Sequence, residues 1–143
     1  MERTGTARWE GDLKSGKGSV RSERGAVNGS YSFGTRFGTD KSGTNPEELI
    51  ATAHAACFSM ALSAALSKAG SVPRSVETTA TVKIEMQESG PAITGIELDC
   101  KADVPGIDAD ALNRTAEDAK KGCPVSKALA AVPITLKITR INS

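Results

Sequence analysis

Alternation of apolar and polar residues is clearest in the second half of the chain. Val76, Thr78, Ala80, Val82, Ile84 and Met86 occupy one parity, and Glu77, Thr79, Thr81, Lys83, Glu85 and Gln87 the other. Period two with one wet face predicts a half-buried strand. Ser89-Gly90-Pro91 reads as a turn. The pattern then repeats, with Ile96, Leu98, Cys100, Ala102 and Val104 facing in and Glu97, Asp99, Lys101 and Asp103 facing out. Pro105-Gly106 ends that strand. Ile134, Leu136 and Ile138 alternate with Thr135, Lys137 and Thr139 in a last strand. Between them, Asp108 can cap a short helix through about Lys121, with Leu112, Ala116 and Ala119 on one side. Gly122 stops it, and Cys123-Pro124 starts a second short helix to about Ala130.

The first half reads differently. Up to residue 45 it is rich in Gly, Ser and Thr, punctuated by Trp9, Val20, Val27, Tyr31, Phe33 and Phe37. Gly16-Lys17-Gly18 and Asn28-Gly29 read as turns between two or three short strands, followed by a loop over 38–44. A long helix then starts at Asn45-Pro46-Glu47-Glu48. Asn45 suits the N-cap, Pro46 the first helical position, and Glu48 a capping box. It runs to Lys68 or Ala69, with Gly70 as its C-terminal glycine and Pro73 beyond. No repeat or linker interrupts the order of strands, helix, strands, helices, strand. It predicts a single α+β domain over 1–143 with a mostly antiparallel sheet and one long helix.

From Leu49 to Ser67 the long helix carries no Asp, Glu, Lys or Arg, a stretch of 19 residues. That length could span a bilayer. Its Ala-rich content with Thr52, His54, Ser59, Ser63 and Ser67 points instead to burial in a core or between subunits. Lys and Arg number 18 and Asp and Glu 17, and aromatics are 3%. The balance disfavours nucleic acid and membrane surfaces as partners, and so few rings disfavour base stacking. Met1–Gly5 has no apolar run of the kind a secretory signal requires, so the expectation is a reducing cytoplasm. There, three cysteines point to reactivity or a core role rather than a disulfide scaffold.

Cys100 falls on the inward side of its strand and reads as core. Cys123, beside a helix start, has the better local field for a thiolate. Cys57 lies some twelve residues into the long helix, where burial would raise its pKa and only an external cation could activate it. His54 shares a helical face with Cys57, which leaves a Cys–His nucleophile open beside a structural histidine. No C-x-x-C spacing supports a metal site. Glu47 is the carboxylate left over once Glu48 caps the helix. Arg36, following an aromatic strand, is either an exposed edge residue or a cation for a thiol.

Gly43-Thr44-Asn45-Pro46-Glu47-Glu48-Leu49-Ile50 and His54-Ala55-Ala56-Cys57-Phe58-Ser59-Met60-Ala61-Leu62, with Thr35-Arg36-Phe37 and Gly122-Cys123-Pro124-Val125-Ser126, resemble the osmotically inducible protein C (OsmC) family. So do Ala7-Arg8-Trp9-Glu10-Gly11-Asp12 and Val104-Pro105-Gly106-Ile107. The family is related to the organic hydroperoxide resistance proteins. The resemblance implies an intertwined homodimer with the Cys-bearing helices at its centre. It also implies a cofactor-free, thiol-dependent peroxidase that prefers organic hydroperoxides to hydrogen peroxide. It makes Cys57 the attacking thiol and Cys123 the resolving one, with Arg36 held by Glu47 to lower the Cys57 pKa, and a dithiol or dithiol protein as reductant. This reverses the order that the helix-terminus argument gives. The segment 37–50 and the apolar helix walls are then expected to form the pocket. A non-enzymatic thiol sensor or ligand binder, and a Cys57–His54 hydrolase, are the alternatives.

Overall fold

The computed structural model describes Met1–Asn142, and the chain divides into two compact units, Met1–Leu49 and Ile50–Ser143. The first unit holds three antiparallel strands in the order β1 (Gly5–Glu10), β2 (Lys17–Ser22) and β3 (Asn28–Tyr31). Lys17-Gly18 and Asn28-Gly29 lie inside strands rather than at turns. The chain reverses at 11–16, where Asp12 accepts from the Lys14 and Ser15 N–H groups, and at 23–27. Gly18 carries no side chain because the rings of Trp9 and Tyr31 close over it, with centroids 5.3 Å apart.

After β3 the aromatic segment is not a strand. Phe33–Phe37 forms a short helix, α1. Ser32 caps it in a reciprocal box: the Thr35 N–H donates to Ser32 Oγ at 3.2 Å and the Ser32 N–H to Thr35 Oγ1 at 2.8 Å. Helix α2 (Pro46–Lys68) begins where expected, with Asn45 Oδ1 accepting the Glu48 N–H at 2.8 Å. The Glu48 carboxylate accepts from the Thr44 hydroxyl at 2.9 Å. Gly70 follows the helix with φ +88°, a left-handed conformation that glycine adopts without steric cost.

The second unit contains β4 (Ser75–Gln87), β5 (Gly90–Asp103) and β6 (Ile134–Arg140), with α3 (Ala109–Gly122) and α4 (Pro124–Ala128) between the last two strands. β4 and β5 form a long antiparallel hairpin, but β6 runs parallel to β5. The sheet is therefore mixed. A parallel neighbour needs a long crossover, and α3 and α4 provide it.

The core of this unit joins Phe58, Leu62 and Leu66 of α2 to Ile96, Leu98, Cys100 and Ala102 of β5, with Leu112, Ala116 and Ala119 of α3. The inward faces of β5 and α3 are those the alternation predicts. Two expectations fail at strand ends. Met86 is exposed rather than inward, because the hairpin tip overhangs β6, whose pairing with β5 begins only at Ile96. Asp103 is buried rather than outward, since Arg74 lies 3.8 Å from its carboxylate and Asn142 Nδ2 donates to Oδ2 at 3.2 Å.

Candidate active site

Two of the three cysteines meet. Cys57 stands midway along α2, immediately before Phe58 of the core, and is half-buried, whereas Cys123 is fully buried. Their sulfurs stand 2.8 Å apart as free thiols. Cys123 owes its place to the junction of two helices. Its N–H closes α3 on the Ala119 carbonyl at 2.9 Å, and the Pro124 ring at the start of α4 forces the chain out of the first helix. Cys100 lies fully buried among the core side chains of β5, where burial pushes its thiol up and keeps it unreactive.

The electrostatics of the pair are unequal. Burial raises the Cys57 thiol, and its contact with Cys123 raises it further, against one N–H from Val125. Burial also opposes ionisation of Cys123, but hydrogen bonds from Cys57 and from the Ser126 N–H and hydroxyl outweigh it and pull the thiol down. Within the second unit, a thiolate is therefore easier to form at Cys123 than at Cys57. This agrees with the preference for Cys123 that the local sequence suggests.

His54 is fully buried, and its Nε2 lies 2.7 Å from Ser126 Oγ. It serves Ser126 rather than Cys57, so the Cys57–His54 nucleophile has no geometry to support it. Its Nδ1 is buried without a hydrogen-bond partner. Burial lowers its pKa and keeps the imidazole neutral near pH 7. The sequence pattern does not single out Ser126. Its position three residues after Cys123, in the first turn of α4, is the one signal that points to it.

The first unit supplies a second charged element. Glu47, in the opening turn of α2, is buried, and Arg36 of α1 grips it as a fork. Arg36 Nη2 donates to Oε1 at 2.7 Å, and Nε lies 3.2 Å from both carboxylate oxygens. Arg36 is thus neither on a strand nor free at an edge. It sits on helix α1 with its guanidinium carbon 4.9 Å from the Phe37 ring centroid. Beside it opens a mainly apolar hollow of about 240 Å³ lined by Trp9, Leu13, Tyr31, Ser32, Phe33, Arg36 and Phe37. Of the segment expected to form a pocket, only Phe37 lines this one.

The family model described as OsmC-like protein matches residues 38–137. The chain is 52% identical over 132 residues to the peroxiredoxin OsmC of Escherichia coli (strain K12), covering 92% of each chain. It is 33% identical to the organic hydroperoxide resistance protein OhrA of Bacillus subtilis (strain 168), over 66% of this chain and 67% of that one. Its fold matches the crystal structure of the organic hydroperoxide resistance protein OhrB of Bacillus subtilis with a TM-score of 0.74, at 25% identity over 95% of this chain and 98% of the other.

Proposed function

The chain belongs to the OsmC-like protein family, and from that premise we propose that it is a cysteine-based peroxidase of oxidative stress defence that reduces organic hydroperoxides. The observation that carries this reading is the pair of free thiols 2.8 Å apart, one half-buried and one fully buried. In the proposed cycle the Cys57 thiolate attacks the terminal peroxide oxygen. The O–O bond breaks, the alkoxide leaves and takes a proton as alcohol, and Cys57 becomes a sulfenic acid. Cys123 then attacks the Cys57 sulfur, a Cys57–Cys123 disulfide forms, and water leaves. A dithiol, free or on a protein, restores both thiols by exchange. No metal or organic cofactor takes part.

Cys57 is chosen over Cys123 for the first step because it is the sulfur that solvent can approach. Its pKa is the difficulty, since its own surroundings hold the proton on it. The proposed remedy is Arg36, oriented by Glu47, whose positive charge beside a thiol would favour the thiolate. Glu47 and Cys57 are ten positions apart on α2, about 15 Å of helical rise. We therefore assign the activating Arg36 to a second copy of the chain.

The same helix supports a homodimer. Helix α2 is long and apolar enough to cross a membrane, yet only 22% of its most apolar stretch is buried. Ala53, Ala56, Met60 and Ala64 lie exposed on one face, Met60 at 76%. A matching helix from a second copy would cover that face in a cytoplasmic protein. In this reading residues 1–143 act as one domain, and the aromatic hollow beside Arg36 takes the alkyl part of the substrate. Each buried methylene contributes about 0.8 kcal/mol, which favours organic over hydrogen peroxide.

The test is consumption of cumene hydroperoxide and of hydrogen peroxide with dithiothreitol present. Faster turnover of the organic peroxide, abolished in Cys57→Ser, is expected. Absence of dithiol-dependent turnover of either peroxide would refute the assignment.

A further inference from the structure

The disulfide cycle makes no use of the neutral histidine buried in the apolar interior, which is joined to a serine in the first helical turn after the resolving cysteine. His54 Nε2 lies 2.7 Å from Ser126 Oγ. Ser126 stands in the first turn of α4 three residues beyond Cys123, where its hydroxyl and N–H favour the Cys123 thiolate, and Cys123 Sγ lies 2.8 Å from Cys57 Sγ. All four residues belong to the second unit. A serine hydroxyl has one proton to give. If that proton points at a Cys123 thiolate, the serine oxygen is an acceptor and His54 must be protonated on Nε2. His54 Nδ1 is then a bare lone pair, and it is the buried atom without a partner. An orphaned polar atom in an apolar interior is costly, and the bond made by the other nitrogen offsets that cost.

Access fixes the direction of the chemistry. Cys123 and Ser126 are buried, whereas Cys57 is only half-buried. An external thiolate therefore reaches the disulfide at Cys57, and Cys123 is the sulfur that leaves. We propose that His54 and Ser126 are positioning residues that hold Cys123 as the leaving thiolate when the Cys57–Cys123 disulfide is reduced.

The proposal rests on the disulfide of the peroxidase reading and assigns its reductive half. The reductant thiolate bonds to Cys57 Sγ, the S–S bond breaks, and its electron pair goes to Cys123. The reductant's second thiol then displaces Cys57 as thiolate. The dithiol loses two electrons and two protons, and the protein disulfide gains them. Stabilising the Cys123 thiolate both speeds the first displacement and makes the disulfide more oxidising. The hydrogen bonds at Cys123 already tip its ionisation that way against the cost of burial.

The experiment uses the full chain, oxidised with diamide so that no peroxide is needed. The disulfide is equilibrated in dithiothreitol redox buffers, and its reduction by dithiothreitol is timed by quenched alkylation and mass. Ser126→Ala is expected to lower the equilibrium constant for reduction about tenfold, a drop of about 30 mV in potential, and to slow reduction about tenfold. Ser126→Thr, which keeps a hydroxyl, should restore both to within about threefold. His54→Met removes the donor one step further away and should lower the constant about threefold, while His54→Gln, which offers an amide N–H near the Nε2 position, should recover it. A merely structural role would lower urea midpoints without moving the potential, and that result overturns the proposal. So does a mixed disulfide trapped on Cys123, or failure of diamide to link Cys57 to Cys123. Expected shifts in potential without any hydroperoxide turnover would sustain this relay and refute the peroxidase.

Discussion

Truncating Arg36 to alanine should cost more stability than neutralising its partner, and the geometry says by how much. Glu47's side chain is 8% exposed and Arg36's 34%, joined by contacts of 2.7 and 3.2 Å. Breaking a fully buried pair costs about 3–5 kcal/mol, whereas an exposed pair contributes about 0.2–1 kcal/mol. With one partner a third in water, Arg36→Ala should cost about 2 kcal/mol, because it strands a buried carboxylate. Glu47→Gln should cost about 1 kcal/mol, because the guanidinium left behind can turn to solvent. The double variant should resemble Glu47→Gln more than Arg36→Ala, since no stranded charge remains. For a chain of this size, about 2 kcal/mol corresponds to roughly 6–8 °C in Tm. Urea and thermal unfolding at one fixed protein concentration measure all three, the concentration mattering if two copies associate. A loss below about 0.5 kcal/mol for Arg36→Ala, or a larger loss for Glu47→Gln, would show that this fork does not hold the carboxylate. Arg36→Lys should lose about half as much as Arg36→Ala, because an ammonium keeps the charge but cannot present two parallel donors.

Cys100→Ala should cost about 1 kcal/mol by leaving a small void in the core while hydroperoxide turnover stays near normal; a large turnover loss in the folded variant would contradict its core role. His54 is the chain's sole histidine, and burial lowers its pKa in the folded state. Its neutral form is therefore favoured by folding, and that contribution is full above the unfolded value of about 6.5 and lost as pH falls below it. Urea midpoints should fall between about pH 7.5 and 5.5, and His54→Gln should flatten that slope; an unchanged slope would count against a buried neutral imidazole. Met60→Glu should convert a dimer to monomer in sedimentation, and a wild-type protein that sediments as a monomer would exclude the helix–helix interface.

Much of this architecture is legible because single residues decide it locally. Asn45 and Pro46 fix the start of α2, and the strict alternation of 96–104 fixes the buried face of β5. The parallel β6 is not legible, because alternation reports which face is wet and says nothing of strand direction. Helix α1 is hidden by its aromatics, which suit a strand; the signal that matters is Ser32 three residues before Thr35. At the site, Glu47 is legible as the carboxylate the cap does not use, while its pairing with Arg36 is what the family resemblance implies. Ser126 is marked only by its place three residues after Cys123; its partner His54 is 72 residues away, and no local pattern encodes so distant a contact.

The crossover that makes β6 parallel also governs when the two sulfurs first meet. β4 and β5 can zip from their own turn, but β6 must close a loop through α3 and α4 before it pairs. Such closure carries an entropic cost that hairpins avoid, and it slows folding. Cys123 rides on that crossover, while Cys57 belongs to a helix that forms upstream. The nascent chain is thus expected to display Cys57 without Cys123 beside it until the last strand docks. If Cys57 is oxidised to a sulfenic acid in that interval, no Cys123 stands beside it to form the disulfide, and further oxidation is irreversible.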